Sequence, residues 1–236
     1  LYAKGEGVPQ DYARARYWFE QAAAQGDAVA QYNLGAFYDR GLGVTQDYVR
    51  ARRWYEKAAA QGYAAAQYNL GTLYYQGHNV PQNYARARYW FEKAAAQGMA
   101  VAQHNLGVLY YSGQGVTLDY AHARHWFEQA ATQGVANAQY NLGFLYYKGH
   151  GVPQDYVHAR HWFEKAAAQG YAAAQTNLGL FYSRGLGVTQ DYVRARHWYE
   201  KAAAQGYAAA QTNLGVLYAL GRGVPQDYAR ARYWFE

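Results

Sequence analysis

Apolar and polar residues alternate along this chain with the period of an α-helix, and the whole pattern returns every 36 residues. Between about 28 and 40, Ala30, Gln31, Leu34 and Tyr38 share one side of a helix turning about 100° per residue. Val29, Tyr32, Ala36, Asp39 and Arg40 fall on the other. Between about 48 and 61, Tyr48, Ala51, Tyr55, Ala58 and Gly62 form one stripe, with Trp54 on its flank and Val49, Arg53, Glu56 and Ala60 toward water. The pattern predicts two helices per unit, A and B. Gly41 supplies the left-handed residue that ends helix A. Asp47 fits the N-cap of helix B, where its carboxylate accepts from free first-turn amides, and Asn83 replaces it in a later unit. Lys57 lies toward the negative end of helix B, and Gly62 closes it. Gly35 sits mid-helix, where glycine costs about 1 kcal/mol relative to Ala. Its recurrence in every A helix predicts the close approach of another helix, at the Ala51 position.

All seven Trp fall 36 residues apart, from Trp18 to Trp234, and Gln-x-Asn-Leu-Gly recurs at the same interval from Gln31 to Gln211. Before Gln-Asp-Tyr the residue alternates: Pro9, Thr45, Pro81, Thr117, Pro153, Thr189, Pro225. The copied unit therefore spans two repeats. The stretch from Gly41 to Gln67 returns from Gly185 to Gln211 with Arg53 changed to His197, which points to a further duplication. One helical pair cannot bury these stripes alone, whereas stacked pairs can. The expected fold is an all-α solenoid of 36-residue helix-loop-helix units, read as one array over 1–236. It has a partial repeat at 1–26, full repeats at 27–62, 63–98, 99–134, 135–170 and 171–206, and a partial repeat at 207–236.

The strings Ala-x-Ala-Gln-x-Asn-Leu-Gly-x-x-Tyr, Gly-x-Gly-Val-Pro-Gln-Asp-Tyr and Ala-Arg-x-Trp-Phe/Tyr-Glu-Lys-Ala-Ala-Ala-Gln-Gly resemble the Sel1-like repeat, a relative of the tetratricopeptide repeat with a longer internal loop. Leu34, Gly35, Tyr38, Ala51, Tyr55 and Ala58 match the shared signature positions. Asn79 and Leu118 depart from the pattern, in place of a loop glycine and of Gln46. The resemblance implies a right-handed α/α superhelix and a non-enzymatic interaction scaffold of bacterial origin. Such relatives act in envelope assembly, signalling and host-cell contact, which points toward the periplasm or the exterior.

The tetratricopeptide match places the ligand groove on helix A, at the positions of Val29, Tyr32, Ala36, Asp39 and Arg40. These are the positions that differ most between copies. The expected partner-binding residues are Tyr32, Tyr68, Thr72, Tyr75, His104, Val108, Tyr111, Tyr140, Phe144 and Tyr147. Tyrosine gives a large, rigid contact with one polar tip, which suits a protein or peptide partner. The competing reading is that these are drifted surface residues of a spacer, since single exposed apolar side chains are common. The invariant Asn33 column fits a structural tie to a neighbouring loop better than a ligand contact. Half of the 28 Tyr occupy the Tyr38 and Tyr48 columns and are read as core.

Composition narrows the chemistry. The chain has 236 residues, no Cys and a formal net charge of +6, with 18% aromatic residues. Disulfides and thiolate metal sites are excluded, and no apolar run approaches the roughly 18 residues of a membrane span. His122 and His125 are three apart on one helix, as are His158 and His161, a spacing that can bind Zn²⁺. Their columns hold Arg or Tyr elsewhere, so a solvated face is the expectation. Gly-x-Gly follows a helix rather than a strand, so it is no dinucleotide fingerprint. No Ser/His/Asp or Cys/His set is placed for catalysis, and no enzyme, cofactor or nucleic-acid partner is expected. The chain starts mid-motif without Met and lacks polar capping helices, so it reads as a segment of a longer array. The alternative function is a structural array whose ends stack head-to-tail into a filament. Replacing Tyr75, Tyr111 and Tyr147 by Ala is expected to abolish partner capture without unfolding the chain. Capture surviving that change would contradict the groove reading.

Overall fold

The computed structural model describes residues 1–78 and 81–236; Asn79, one of the two departures from the repeat, lies outside them. The described residues contain thirteen α-helices and no strand. They divide into two compact units, Leu1–Leu118 and Asp119–Glu236. The first holds α1 (Tyr12–Ala24), α2 (Ala28–Arg40), α3 (Tyr48–Ala60), α4 (Ala64–Gln76), α5 (Tyr84–Ala96) and α6 (Ala100–Ser112). The second holds α7 (Tyr120–Thr132), α8 (Ala136–Lys148), α9 (Tyr156–Ala168), α10 (Ala172–Arg184), α11 (Tyr192–Ala203), α12 (Ala208–Leu220) and α13 (Tyr228–Phe235). Even-numbered helices are the A helices and odd-numbered ones the B helices. Within each unit consecutive helices pack on one another, giving the all-α repeat solenoid that the periodicity predicts.

The ends form as the residues dictate. Asp47 Oδ1 accepts from the amides of Val49 and Arg50 at 3.0 and 2.9 Å, and Asn83 does the same for Arg86 at 2.9 Å. Gly41 adopts φ 68°, and its amide bonds the Phe37 carbonyl. In the loop beyond, Gln46 Nε2 donates to the Asp39 carbonyl at 2.7 Å and to the Tyr48 hydroxyl at 2.8 Å, strapping the loop to both helices. Leu118 takes that place in a later loop, half exposed and without a side-chain donor.

The core differs from expectation at three columns. Phe37 and its equivalents Leu73, Leu109, Leu145, Phe181 and Leu217 are buried, although the wheel left them unassigned. The Tyr48 column is only half-buried, and Tyr228 is exposed. The mid-helix glycine meets a ring rather than a small residue. A Cβ on Gly35 would lie 2.5 Å from the Tyr55 ring, and one on Gly143 would lie 2.9 Å from the Phe163 ring. The alanine column contributes second, through its backbone: the Ala159 carbonyl oxygen would be 3.1 Å from that Gly143 Cβ. Glycine thus lets a large ring of helix B lie flat on the backbone of helix A, and each such buried ring contributes about 2–3 kcal/mol.

A polar ladder runs beside this apolar contact. Gln31, buried, donates from Nε2 to the Ala23 carbonyl at 3.3 Å, and its Oε1 accepts from Gln61 Nε2 at 2.8 Å. The second hydrogen of Gln61 Nε2 reaches the Gly26 carbonyl at 2.9 Å. The same set joins Gln97 to Gln67 and Gly62 in the first unit, and Gln169 to Gln139 and Gly134 in the second. Each buried amide is satisfied on both sides, its Nε2 by a carbonyl of the helix before it and its Oε1 by the glutamine that follows the next helix, which is what burial of a polar side chain requires.

Two glycine effects oppose each other. In an isolated helix Gly143→Ala would stabilise by about 1 kcal/mol. Here it should destabilise by about 1–3 kcal/mol, because ring and carbonyl leave no room for a methyl group. Urea denaturation followed by circular dichroism reads the sign; a rise in the midpoint would refute the ring-on-glycine contact.

Candidate binding face of the A helices

The ten expected binding residues all lie on A helices: Tyr32 on α2, Tyr68, Thr72 and Tyr75 on α4, His104, Val108 and Tyr111 on α6, and Tyr140, Phe144 and Tyr147 on α8. Each is half-buried rather than fully on the solvent side. For Tyr32, Tyr68, Tyr75 and Tyr140 the reason is that their rings rest on the ring seated over the glycine, and Tyr147 rests on Phe181 and Tyr156. The Tyr32 centroid lies 5.8 Å from Tyr55 and 5.1 Å from Tyr63. Tyr68 is 5.8 Å from Phe91, and Tyr75 is 5.4 Å from Tyr84 and 6.4 Å from Phe91. In the second unit Tyr140 is 5.6 Å from Phe163 and 5.1 Å from Tyr171, and Tyr147 is 5.6 Å from Phe181. Phe144 lies between Tyr140 and Tyr147, at 6.3 and 6.1 Å, and the Lys148 ammonium sits over both Phe144 and Tyr147 at 5.6 and 5.2 Å. The rings are therefore held in place by the chain's own side chains. Truncating Tyr75 and Tyr147 to Ala removes core packing as well as contact surface, so the loss would mix folding with binding.

The polar members are tied down too. Thr72 Oγ1 donates to the Tyr68 carbonyl at 3.0 Å. Burial pushes the His104 imidazole below its ordinary pKa, which the hydrogen-bonded Asn105 side chain at 3.3 Å partly opposes. Asn33 Nδ2 donates to the Val29 carbonyl one turn back at 2.8 Å, so its bond lies within its own helix rather than to a neighbouring loop.

One coupling was not anticipated. Tyr55 is fully buried, its hydroxyl donates to Asp39 Oδ2 at 3.1 Å, and the Asn69 side chain is hydrogen-bonded to that hydroxyl. Burial first, and the Asp39 charge second, raise the Tyr55 hydroxyl well above the usual tyrosine range. In the second unit Tyr199 lies 3.4 Å from Ser183 Oγ, and burial again raises its pKa. Where the B-helix ring is Phe91, Phe127 or Phe163, the matching A-helix residue is Tyr75, Tyr111 or Tyr147. Both core hydroxyls take a small polar neighbour on the face, whereas a phenyl ring accepts Tyr75, Tyr111 or Tyr147 and, where Phe235 lies over Gly215, Ala219. Part of the variation at this column therefore follows the core. The signal was present in the chain as pairing between positions sixteen apart.

His122, His125, His158, His161 and His197 lie on the B helices. His122 and His158 Nδ1 each lie 2.7 Å from the capping carboxylate, Asp119 and Asp155. The amides of those histidines, and then their imidazoles, hold both carboxyls below the usual range. This is where Arg50 pairs with Asp47 at 3.4 Å and lies over Tyr38; His158 likewise stacks on Tyr146 at 5.3 Å. Among the described residues no three His, Cys, Asp or Glu are grouped as a metal site, and no helix is long and apolar enough to cross a membrane.

The Sel1 repeat model matches seven consecutive stretches, at residues 1–27, 28–63, 64–99, 100–135, 136–171, 172–207 and 208–236. The chain belongs to the Sel1-repeat family. Its repeats superpose on c5321, a protective antigen present in uropathogenic Escherichia coli strains, with a TM-score of 0.89 and 44% identity over 93% of this chain. This chain spans 47% of the length of that antigen. A Sel1 repeat protein from Oxalobacter formigenes gives a TM-score of 0.85 at 34% identity, covering 94% of this chain and 89% of its own. No curated protein matches. Sel1-repeat proteins generally act as protein-interaction scaffolds and are typically non-enzymatic, and these structural relatives are bacterial.

The Asp39–Tyr55 coupling has a direct test. Asp39→Tyr alone removes the acceptor of a buried hydroxyl and should cost about 1–3 kcal/mol. Adding Tyr55→Phe should recover at least about 1 kcal/mol of that loss. A double-mutant cycle by chemical denaturation measures it, and additive effects would refute the coupling.

Proposed function

We propose that this Sel1-repeat chain is a non-enzymatic scaffold that holds a protein or peptide segment against the exposed face of its A helices. The observation that carries the reading is the pre-anchoring of the half-buried rings of Tyr32, Tyr68, Tyr75, Tyr140 and Tyr147 on core rings, with Phe144 lodged between Tyr140 and Tyr147. A rigid aromatic loses little side-chain entropy on binding, and a fixed one loses less. The non-enzymatic part rests on the family and on the roles of the acidic residues of the second unit. Asp119, Asp155, Asp191 and Asp227 cap helices, and Glu128, Glu164, Glu200 and Glu236 pair with the Arg one turn earlier.

The chain supplies its own mild substitutions. Thr72 stands at the Phe144 position, Thr176 at the Tyr140 position and Ser183 at the Tyr147 position. A Tyr140→Thr, Phe144→Thr, Tyr147→Ser triple variant, made with Phe163→Tyr so that the serine keeps the ring partner that Ser183 has, therefore uses residues the repeat already accepts. Peptides selected from a random display library on the unmodified chain should bind it, and bind the triple variant at least about tenfold more weakly, with His161→Arg on the other face unchanged. Equal affinity for the triple variant, with both proteins folded by circular dichroism, would overturn the reading. Light scattering of the chain alone tests the filament alternative, which requires mass that grows with concentration.

A further inference from the structure

We infer that the segment this face takes up in the second unit is acidic: an extended peptide placing an apolar or aromatic side chain on Tyr140, Phe144 and Tyr147 and carboxylates on Lys148 and Arg184. The inference rests on the binding face proposed above and adds the chemistry of its occupant.

The argument is charge complementarity on one helix face. The helices α8, α10 and α12 carry no Asp or Glu, and their only charged residues are Lys148 and Arg184, each the last residue of its helix. Both are exposed. Every carboxylate of the unit is already used elsewhere, as an N-cap or as the partner of a B-helix arginine. By contrast, arginines of the B helices such as Arg160 and Arg196 sit 3.5 and 3.4 Å from Glu164 and Glu200. Among the described residues no carboxylate lies within ion-pair distance of Lys148 or Arg184. Lys148 instead lies on the rings of Phe144 and Tyr147, which fixes the cation beside the apolar seat and leaves its charge without a protein counterion. A cation so placed favours an occupant with a carboxylate next to an apolar residue and disfavours a basic one, since like charges across an interface cost several kcal/mol. Two cations on the face are few for a nucleic acid, whose binding rests on neutralising many phosphates.

The library selection described above decides this with the same probe. Selected peptides should be enriched in Asp and Glu beside an aromatic or aliphatic residue. A Lys148→Glu, Arg184→Glu variant, altered only at exposed side chains, should bind them at least about tenfold more weakly, Lys148→Arg should keep affinity, and added salt should weaken the unmodified pair. Peptides that need Tyr140, Phe144 and Tyr147 but carry no acidic bias, or bind the charge-reversed variant equally, would overturn this inference and leave the binding face standing. Peptides indifferent to the three rings would overturn both.

Discussion

Everything in this repeat hangs on one contact, the flat seating of a helix-B ring on the bare backbone of a helix-A glycine. A glycine in the middle of a helix is unfavourable on its own terms, and it is present in all six A helices. What it allows is an approach that even a methyl group would prevent, with the Tyr55, Phe91, Phe163 or Tyr199 ring completely covered or nearly so. The glutamine ladder then closes the polar account of the same junction. The buried backbone and amide groups beside the ring are paired with the turn of the preceding repeat, so packing and hydrogen bonding fix the same spacing. A repeat built this way needs only its neighbours, which is why it can be copied with little change.

The contact also reaches the surface. The ring over the glycine forms the floor on which Tyr32, Tyr68 or Tyr140 lies. Its para position decides what the A helix can present beside it. A hydroxyl there must find an acceptor and draws in Asp39 or Ser183; a bare phenyl makes no such demand and lies beside Tyr75, Tyr111, Tyr147 or Ala219. Surface variation in this array is therefore not independent of the core. The same physics gives this face of the A helices its rigidity, since aromatic residues held by aromatic residues have few alternative rotamers to lose.

Much of this was legible in the sequence, for identifiable reasons. Helix bounds, the Asp47 and Asn83 caps and the left-handed Gly41 follow from local rules acting within a few residues, and they came out to within a residue. The family followed from the repeat itself. The ten face residues were placed on the right helices, because periodicity says which side of a helix a residue takes. It does not say how deep that side lies. Half-burial of Tyr75 depends on Tyr84 and Phe91 of the next helix and that of Tyr147 on Tyr156 and Phe181 of the next two, and the burial of Phe37 depends on Tyr12 and Phe19 of the helix before it. The Gln61–Gln31 bond spans thirty residues and has no local signature. The glycine partner was misjudged because a small-on-small contact is the simpler guess, whereas the structure uses the gap for a large ring.

A hydroxyl on the core ring requires a small polar neighbour on the A-helix face, and moving the Tyr199–Ser183 pair into a phenyl repeat tests this most directly. A crystal structure of the chain carrying Phe163→Tyr together with Tyr147→Ser would show it. The account predicts that the ring at position 163 stays on Gly143 and that its new hydroxyl lies within hydrogen-bond reach of the new serine, as Tyr199 lies 3.4 Å from Ser183. A ring displaced from Gly143, or a hydroxyl left with no contact to position 147, would contradict it.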